Sequence, residues 1–335
     1  MGVEEKKIYT LNDIAEELGV SKTTVSRAIS GKGRISQKTK ERVQQFIEEH
    51  NYRPNVMARG LAQNKTYNLG LILPMDYAAT EFSFFRECMN GICETAAQYN
   101  YDVVVAIVNG EDMTQIQRLV INRKVDGIIL SRTAVSSAAQ TYLRENQLPY
   151  LVIGPTDDPK ELSVDNKNEE ACEELTSILL MKGIQKLALF GGRESYCVTK
   201  SRYEGFLRAY QNAGIALDPS LVIVEIDSAI KADQAVEKAL AEKVDGIVCM
   251  DDIICSQVLN CLRERGKKVP QDLKIASFYD NEYLENNNPT ITSIRFDTKK
   301  LGSNACLKLL QVLEEEVPKE EYLMNYQVIL RESTK

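Results

Sequence analysis

The stretch from Thr10 to Ser30, TLNDIAEELGVSKTTVSRAIS, decides how the N-terminal part of this chain folds. Leu11, Ile14, Ala15 and Leu18 recur at i, i+3, i+4 and i+7, so they share one face of a helix that Thr10 caps and Asp13 favours from the first turn. Gly19 suits the left-handed residue that ends such a helix. Ser21 then caps a second helix, whose Val25, Ala28 and Ile29 pack back on the first. Its other face shows Lys22, Thr23, Ser26 and Arg27. These are small hydrogen-bonding groups and cations, the residue types that read base edges and hold phosphates when a helix lies in the major groove.

Working outward, Ser36 caps a third helix running to about His50, with Val43, Phe46 and Ile47 as its apolar stripe and Asn51 as a left-handed terminator. Three short helices around one small core make a DNA-binding headpiece. In NYRPNVMARGLAQNKT (51–66), Pro54 breaks the chain, Asn55 caps, and Val56 to Gln63 form about two helical turns. So short a helix is marginal alone, and Gly60 inside it costs a further ~1 kcal/mol relative to alanine.

Charge is divided along the chain. Twelve Lys and Arg against eight Asp and Glu give residues 1–65 a net +4, which leaves −11 on the rest of a chain whose total is −7. An acidic body joined to a basic end repels phosphate everywhere except at that end, which orients the molecule on DNA. With 335 residues and 44% hydrophobic content, two or three domains with sizeable cores are expected. No apolar run approaches the ~20 residues of a membrane span, and MGVEEKKIY lacks the apolar segment of a signal peptide, so a cytoplasmic protein is expected. The eight cysteines are scattered without a CxxC pair and read as buried free thiols. His50 is the only histidine, which leaves no material for a His-based zinc site or a Ser-His-Asp triad.

Beyond Lys65 the pattern becomes alternating strands and helices. LGLILP, YDVVVAIV, VDGIIL and PYLVIG are buried strands, the first followed by a helix from about Phe84 to Tyr99. The order repeats in LALFGG, a helix near Ser201 to Ala213, LVIVEI, VDGIVC and DLKIASF, and Lys-Val-Asp-Gly-Ile-Ile at 124–129 returns as Lys-Val-Asp-Gly-Ile-Val at 243–248. Two similar α/β lobes with parallel sheets, offset by about 120 residues, account for this repetition. Ligands of open α/β sheets bind beyond the strand ends. The loops there are MDYAATEFSFF, GGRESYCVTKSR, MDDII and FYDNEY, which bring Tyr77, Phe84, Tyr196, carboxylates and arginine near a crevice. Polar groups that satisfy vicinal hydroxyls and rings that cover an apolar sugar face suit a polyhydroxylated ligand.

VSKTTVSRAISGKGRIS (20–36), then YRPN (52–55) and ARGLA (58–62), resembles the lactose/galactose repressor (LacI/GalR-type) family of bacterial transcription regulators. The resemblance covers essentially the whole chain. It implies a headpiece at 8–54, a hinge helix and linker at 55–66, and a two-lobed effector-binding and dimerisation domain at 67–335 similar to periplasmic sugar-binding proteins. Lobe one is then 67–160 with 295–325, and lobe two 161–292 with 326–335. By the same analogy Lys22, Thr23, Ser26 and Arg27 read the major groove of a near-palindromic operator, with Thr10, Leu11 and Ser21 as further DNA-binding residues, while Asn55, Ala58, Arg59 and Leu61 of the dimer enter the minor groove. Leu61 is the expected wedge that unstacks a base step.

In the cleft, Arg202 of Arg202-x-x-Gly205-Phe206 is similar to the family's effector-contacting arginine, and Asp251-Asp252 falls where the family has Asn-Asp. Tyr279 and Asp280 stand at the family's Gly-aromatic-Asp-Asp motif, and either can take the acid's place. Phe84 matches a pocket aromatic or packs in a core, and Gly154 stands where many relatives carry a charged residue. The function implied is a repressor of carbohydrate uptake or catabolism under a sugar-like effector, with no cofactor, metal or catalytic residue. A protein co-regulator, as in catabolite-control members, is the alternative. An enzyme of the doubly wound type is disfavoured, because Gly191-Gly192-Arg193 is neither GxGxxG nor a P-loop. The tail ILRESTK is too short for a tetramer-forming heptad helix.

Overall fold

The computed structural model describes residues 9–30, 33–50, 52, 60, 63–74, 83–109, 112–132, 138–156, 158, 160–314 and 324–335. The chain divides into two compact units, one up to Thr66 and the other from Tyr67 to Lys335.

In the first unit, helix α1 (Leu11–Leu18) begins at a reciprocal cap. The Asp13 amide donates to the Thr10 hydroxyl at 3.3 Å, and the Thr10 amide donates to the Asp13 carboxylate at 2.7 Å. Gly19 ends α1 in the left-handed region at φ 63°. Ser21 accepts from the Thr24 amide at 3.1 Å to start α2 (Lys22–Ser30), and Ser36 accepts from the Thr39 amide at 3.1 Å to start α3 (Gln37–Glu49). Ile14, Ala15, Val25, Ala28 and Val43 form the buried core, and Arg42 ties α3 to the α1 terminus by donating to the Leu18 carbonyl at 3.0 Å. Asn51 and nearly all of the expected hinge helix lie outside the described residues, although Gly60 and Gln63 are helical.

The second unit holds two sheets. The first has the order β2-β1-β3-β4-β5, all parallel: β1 Asn68–Pro74, β2 Asp102–Val108, β3 Gly127–Leu130, β4 Tyr150–Ile153 and β5 Ser163–Val164. The second has the order β11-β10-β9-β8-β6-β7: β6 Leu187–Phe190, β7 Val222–Ile223, β8 Gly246–Cys249, β9 Lys274–Ser277, β10 Thr292–Phe296 and β11 Tyr326–Ile329, with only β11 antiparallel. Helices bury both faces of each sheet in four apolar clusters, as parallel sheets require.

The repeated Lys-Val-Asp-Gly has one structural job in both lobes. The Asp126 carboxylate accepts from the Tyr67 amide at 2.9 Å just before β1, and Asp245 accepts from the Gln185 and Lys186 amides at 3.0 and 2.8 Å just before β6. Each aspartate pins the entry of the strand beside its own.

The helix Thr298–Leu313 returns to the first lobe, where it packs on the helix Ser83–Gln98 through Gly91 and Gly302. A Cβ on Gly91 would collide with the Lys299 carbonyl, and one on Gly302 with the Cys88 carbonyl, so the two backbones touch. The lobe boundaries differ from those expected. Lobe one extends through Val164, because the two-residue β5 pairs with β4, and lobe two keeps its strand through Phe296. Two residues are too few to show a strand period. No helix among the described residues is long and apolar enough to cross a membrane. Seven of the eight cysteines are buried and Cys93 is exposed, all as free thiols.

Candidate functional site

In the first unit, Lys22, Thr23, Ser26 and Arg27 are all exposed, while Val25 and Ala28 on the opposite face are buried. The helix spacing thus sorts this segment into a core stripe and a cationic, hydroxyl-bearing stripe. Thr10 and Ser21 spend their hydroxyls on caps, and Leu11 is half-buried against the small core. Asn55, Ala58, Arg59 and Leu61 lie outside the described residues.

In the second unit, a cavity of about 480 Å³ opens beyond the strand ends, within the roughly 300–1,000 Å³ usual for ligand pockets. Residues following β3 (Ser131, Arg132), β4 (Gly154, Pro155), β5 (Asp165, Asn166), β6 (Gly192, Tyr196), β8 (Met250, Asp251) and β9 (Tyr279) line it. Both lobes contribute.

The helix Cys197–Ala213 starts four residues earlier than expected, which places Arg202 in its second turn. Arg202 Nε donates to Asn168 Oδ1 at 3.2 Å, and an Nη donates to the Met250 carbonyl. Its charge faces two acids, Asp165 and Asp251. Burial pushes the Asp165 carboxyl up to about 7 against the pull of the Asn166 amide and of Arg202. Asp251 is likewise raised by burial; it caps the helix Asp252–Glu264 by accepting from the Ile254 amide at 2.8 Å while lining the cavity. Asp252 is pushed up to about 6 by burial and by the Asp251 charge, and it accepts from Asn281 Nδ2 at 2.7 Å and from Ser83 Oγ of the other lobe at 3.2 Å.

Aromatic rings also line the cavity. The Phe84 ring lies 5.9 Å from that of Tyr279, edge to face, and packs against apolar clusters of both lobes, so its core and pocket roles coexist. Tyr196 and Phe85 hold the Arg132 guanidinium 4.5 and 5.1 Å from their ring centres, a cation–π clasp. Tyr77 lies outside the described residues.

Between the two residues left open by sequence, Tyr279 lines the cavity and Asp280 does not. Tyr279 hydrogen-bonds Thr298 Oγ1 at 3.0 Å, and burial pushes its hydroxyl up to about 12. The Asp280 carboxylate instead accepts from Ser293 Oγ (2.6 Å), Arg331 Nη1 and Nη2 (2.8 and 2.9 Å) and Arg295 Nε (2.9 Å). Burial alone would raise its pKa, but these bonds outweigh that and hold it below the usual carboxylate range. Asp280 is therefore a structural anchor, a correction to its expected place among effector contacts. Successive residues diverge here because Asp280 finds two arginines on β10 and the C-terminal segment.

Sequence reasoning missed Arg132, Asp165, Asn166, Asn168 and Gln257 as cavity residues. Arg132 was findable, since it follows the strand opened by the repeated Lys-Val-Asp-Gly. Asp165 and Asn166 follow the unreadably short β5, and Gln257 sits mid-helix.

This architecture, a small helix-turn-helix unit joined to a two-lobed α/β body with an inter-lobe cavity, is that of a bacterial DNA-binding transcriptional regulator. Residues 10–55 match the model of bacterial regulatory proteins of the lacI family, and residues 176–334 that of the periplasmic binding protein-like domain. The chain therefore matches, in order, the two parts from which LacI-type regulators are built. It is 27% identical to catabolite control protein A of Staphylococcus epidermidis, over 97% of this chain and 99% of that protein. Its fold is similar to that of the lac repressor dimer bound to operator and the anti-inducer ONPF (TM-score 0.79, 24% identity, 98% of this chain and 99% of that one). It is also similar in fold to the transcriptional regulator CelR in complex with cellobiose (TM-score 0.72, 24% identity, 97% and 99%).

Proposed function

We propose that the protein is a cytoplasmic repressor of carbohydrate-uptake or catabolism genes that binds a near-palindromic operator as a homodimer under control of a sugar-like effector. The observation that carries the ligand part is the cavity's pairing of the Arg202 guanidinium with Asp165 and Asp251 beside the rings of Phe84 and Tyr279. A sugar hydroxyl both donates and accepts, so it fits between a carboxylate and a guanidinium, while a ring covers the apolar face. In this reading Tyr196, Asp252 and Tyr77 complete the effector site. Lys22, Thr23, Ser26 and Arg27 read the major groove, with Thr10, Leu11 and Ser21 at its edge; Asn55, Ala58, Arg59 and Leu61 enter the minor groove. Two-fold symmetry of the dimer matches two half-sites.

Control then acts through the short segment 55–66. A helix this marginal forms when paired over DNA, so an effector that changes the lobe arrangement shifts the coupled folding and binding. The resemblance to catabolite control protein A supports a second reading, in which a protein co-regulator takes the effector's place. Selection of genomic fragments by the full-length protein tests the operator claim: recovered sequences sharing two inverted half-sites support it, and unrelated sequences refute it. Repeating the selection with and without candidate sugars, and with cell-extract proteins, separates the two modes of control.

A further inference from the structure

Among the described residues, two buried side-chain oxygens have no hydrogen-bond partner, Asn166 Oδ1 and Gln257 Oε1, and both residues line the cavity. They come from different elements, Asn166 from the segment after β5 and Gln257 from the second turn of the helix Asp252–Glu264. Buried acceptors are nearly always paired in native proteins, because an unpaired one keeps its desolvation cost. Two of them around one cavity make a site that waits for hydrogen-bond donors. Each oxygen is shielded from solvent as it stands, and because the terminal amide torsion is broad, reorienting it toward a bound ligand costs little.

The charges of the cavity point the same way. Arg202 faces Asp165 and Asp251 and already donates to Asn168 and the Met250 carbonyl. Arg132 also faces Asp251 and is clasped by Phe85 and Tyr196. Arg193 is exposed at the rim, where water screens its charge. The interior cations thus already face acids, and an entering phosphate meets Asp165, Asp251 and Asp252 beside them. A phosphate also brings acceptors to acceptors.

We infer that Asn166 and Gln257 are specificity residues of the effector site, accepting hydrogen bonds from an uncharged, hydroxyl-rich ligand with room for more than one pyranose ring, and that the cavity rejects phosphorylated sugars. This rests on the effector reading above and deepens it.

The test uses the full-length protein and a panel of neutral disaccharides (cellobiose, maltose, lactose, sucrose, trehalose) with cellobiose 6-phosphate and maltose 6-phosphate, read by calorimetric titration and by the shift in unfolding midpoint. A neutral disaccharide is expected to bind at least tenfold more tightly than its phosphorylated form. Gln257→Met and Asn166→Leu, each removing one orphan acceptor at nearly constant size, should weaken that binding at least tenfold while leaving the ligand-free midpoint unchanged or higher. A role in folding alone would leave the affinity unaltered in both variants and overturn the inference. So would equal or tighter binding of a phosphosugar, or no binding of any neutral disaccharide. In the phosphosugar case effector control survives while the inference fails. If no small molecule binds at all, both fall.

Discussion

Replacing Asp280 by alanine removes the partner of a buried cation, and its cost can be worked from the geometry. The Asp280 side chain is 1% exposed and that of Arg331 9%, joined by two hydrogen bonds of 2.8 and 2.9 Å. Deleting one member of such a pair leaves the other charge buried, which typically costs 3–5 kcal/mol. Two features set the value near the lower end. Arg295 is 44% exposed and keeps Glu285 at 2.9 Å, so it returns to water at little cost, and Glu285 also stands 3.8 Å from Arg331. We expect about 3 kcal/mol. The double variant Asp280→Ala/Arg331→Met should lose less than the sum of its singles, with a coupling of about 1–3 kcal/mol. Urea unfolding followed by tyrosine fluorescence suits the measurement, since the chain has no tryptophan and thirteen of its fifteen tyrosines lie beyond Thr66. A loss below about 1 kcal/mol for Asp280→Ala, or strict additivity in the double variant, would refute the assignment of Asp280 as an anchor. The lowered Asp280 pKa also sets a pH window: its stabilisation is present above the unfolded value of about 3.9 and lost as pH falls through the folded one. Asp280→Asn should therefore flatten the acid limb of the stability profile.

Asp165 gives the opposite dependence. Its folded pKa is raised to about 7, so its contribution is fully present below about 3.9 and is lost as pH rises toward 7, and the ligand-free midpoint should fall across pH 5 to 8 less steeply in Asp165→Asn than in the parent protein. Identical slopes would remove Asp165 as the cause. Arg202→Ala should abolish the ligand-induced midpoint shift and leave operator binding largely intact; an unchanged ligand affinity would take Arg202 out of the site. Gly302→Ala drives a Cβ into the Cys88 carbonyl and should destabilise the body by about 1–3 kcal/mol, checked by the urea midpoint. Leu61→Ala should lower operator affinity and reduce the bend seen in gel mobility, and no change in either would sink the wedge assignment.

Much of the fold was legible because it rests on short-range rules. The spacing of Leu11, Ile14, Ala15 and Leu18, the caps at Thr10, Ser21 and Ser36, and Gly19 specify the first two helices and the start of the third before any tertiary contact is known. The stripe of Lys22, Thr23, Ser26 and Arg27 was equally readable, because burying Val25 and Ala28 leaves those residues outward. Buried parallel strands announce themselves as apolar runs, and the doubled Lys-Val-Asp-Gly revealed two lobes. Arg202 and the Asp251-Asp252 pair were visible from motif and strand-end position.

What only the tertiary structure decided are matters of long-range partnership. Whether Tyr279 or Asp280 faces the cavity depended on Arg331, fifty-one residues away, offering a better site to the carboxylate than the cavity does. The return of the helix Thr298–Leu313 to the first lobe depended on Gly91 facing Lys299 and Gly302 facing Cys88, backbone against backbone across more than two hundred residues of sequence. Asn166 and Gln257 carry no local signature at all, since an amide on a loop or a helix reads the same whether it meets water or a cavity wall. Local sequence determines which face of an element turns inward; which partner it meets there is set by the whole chain closing around it.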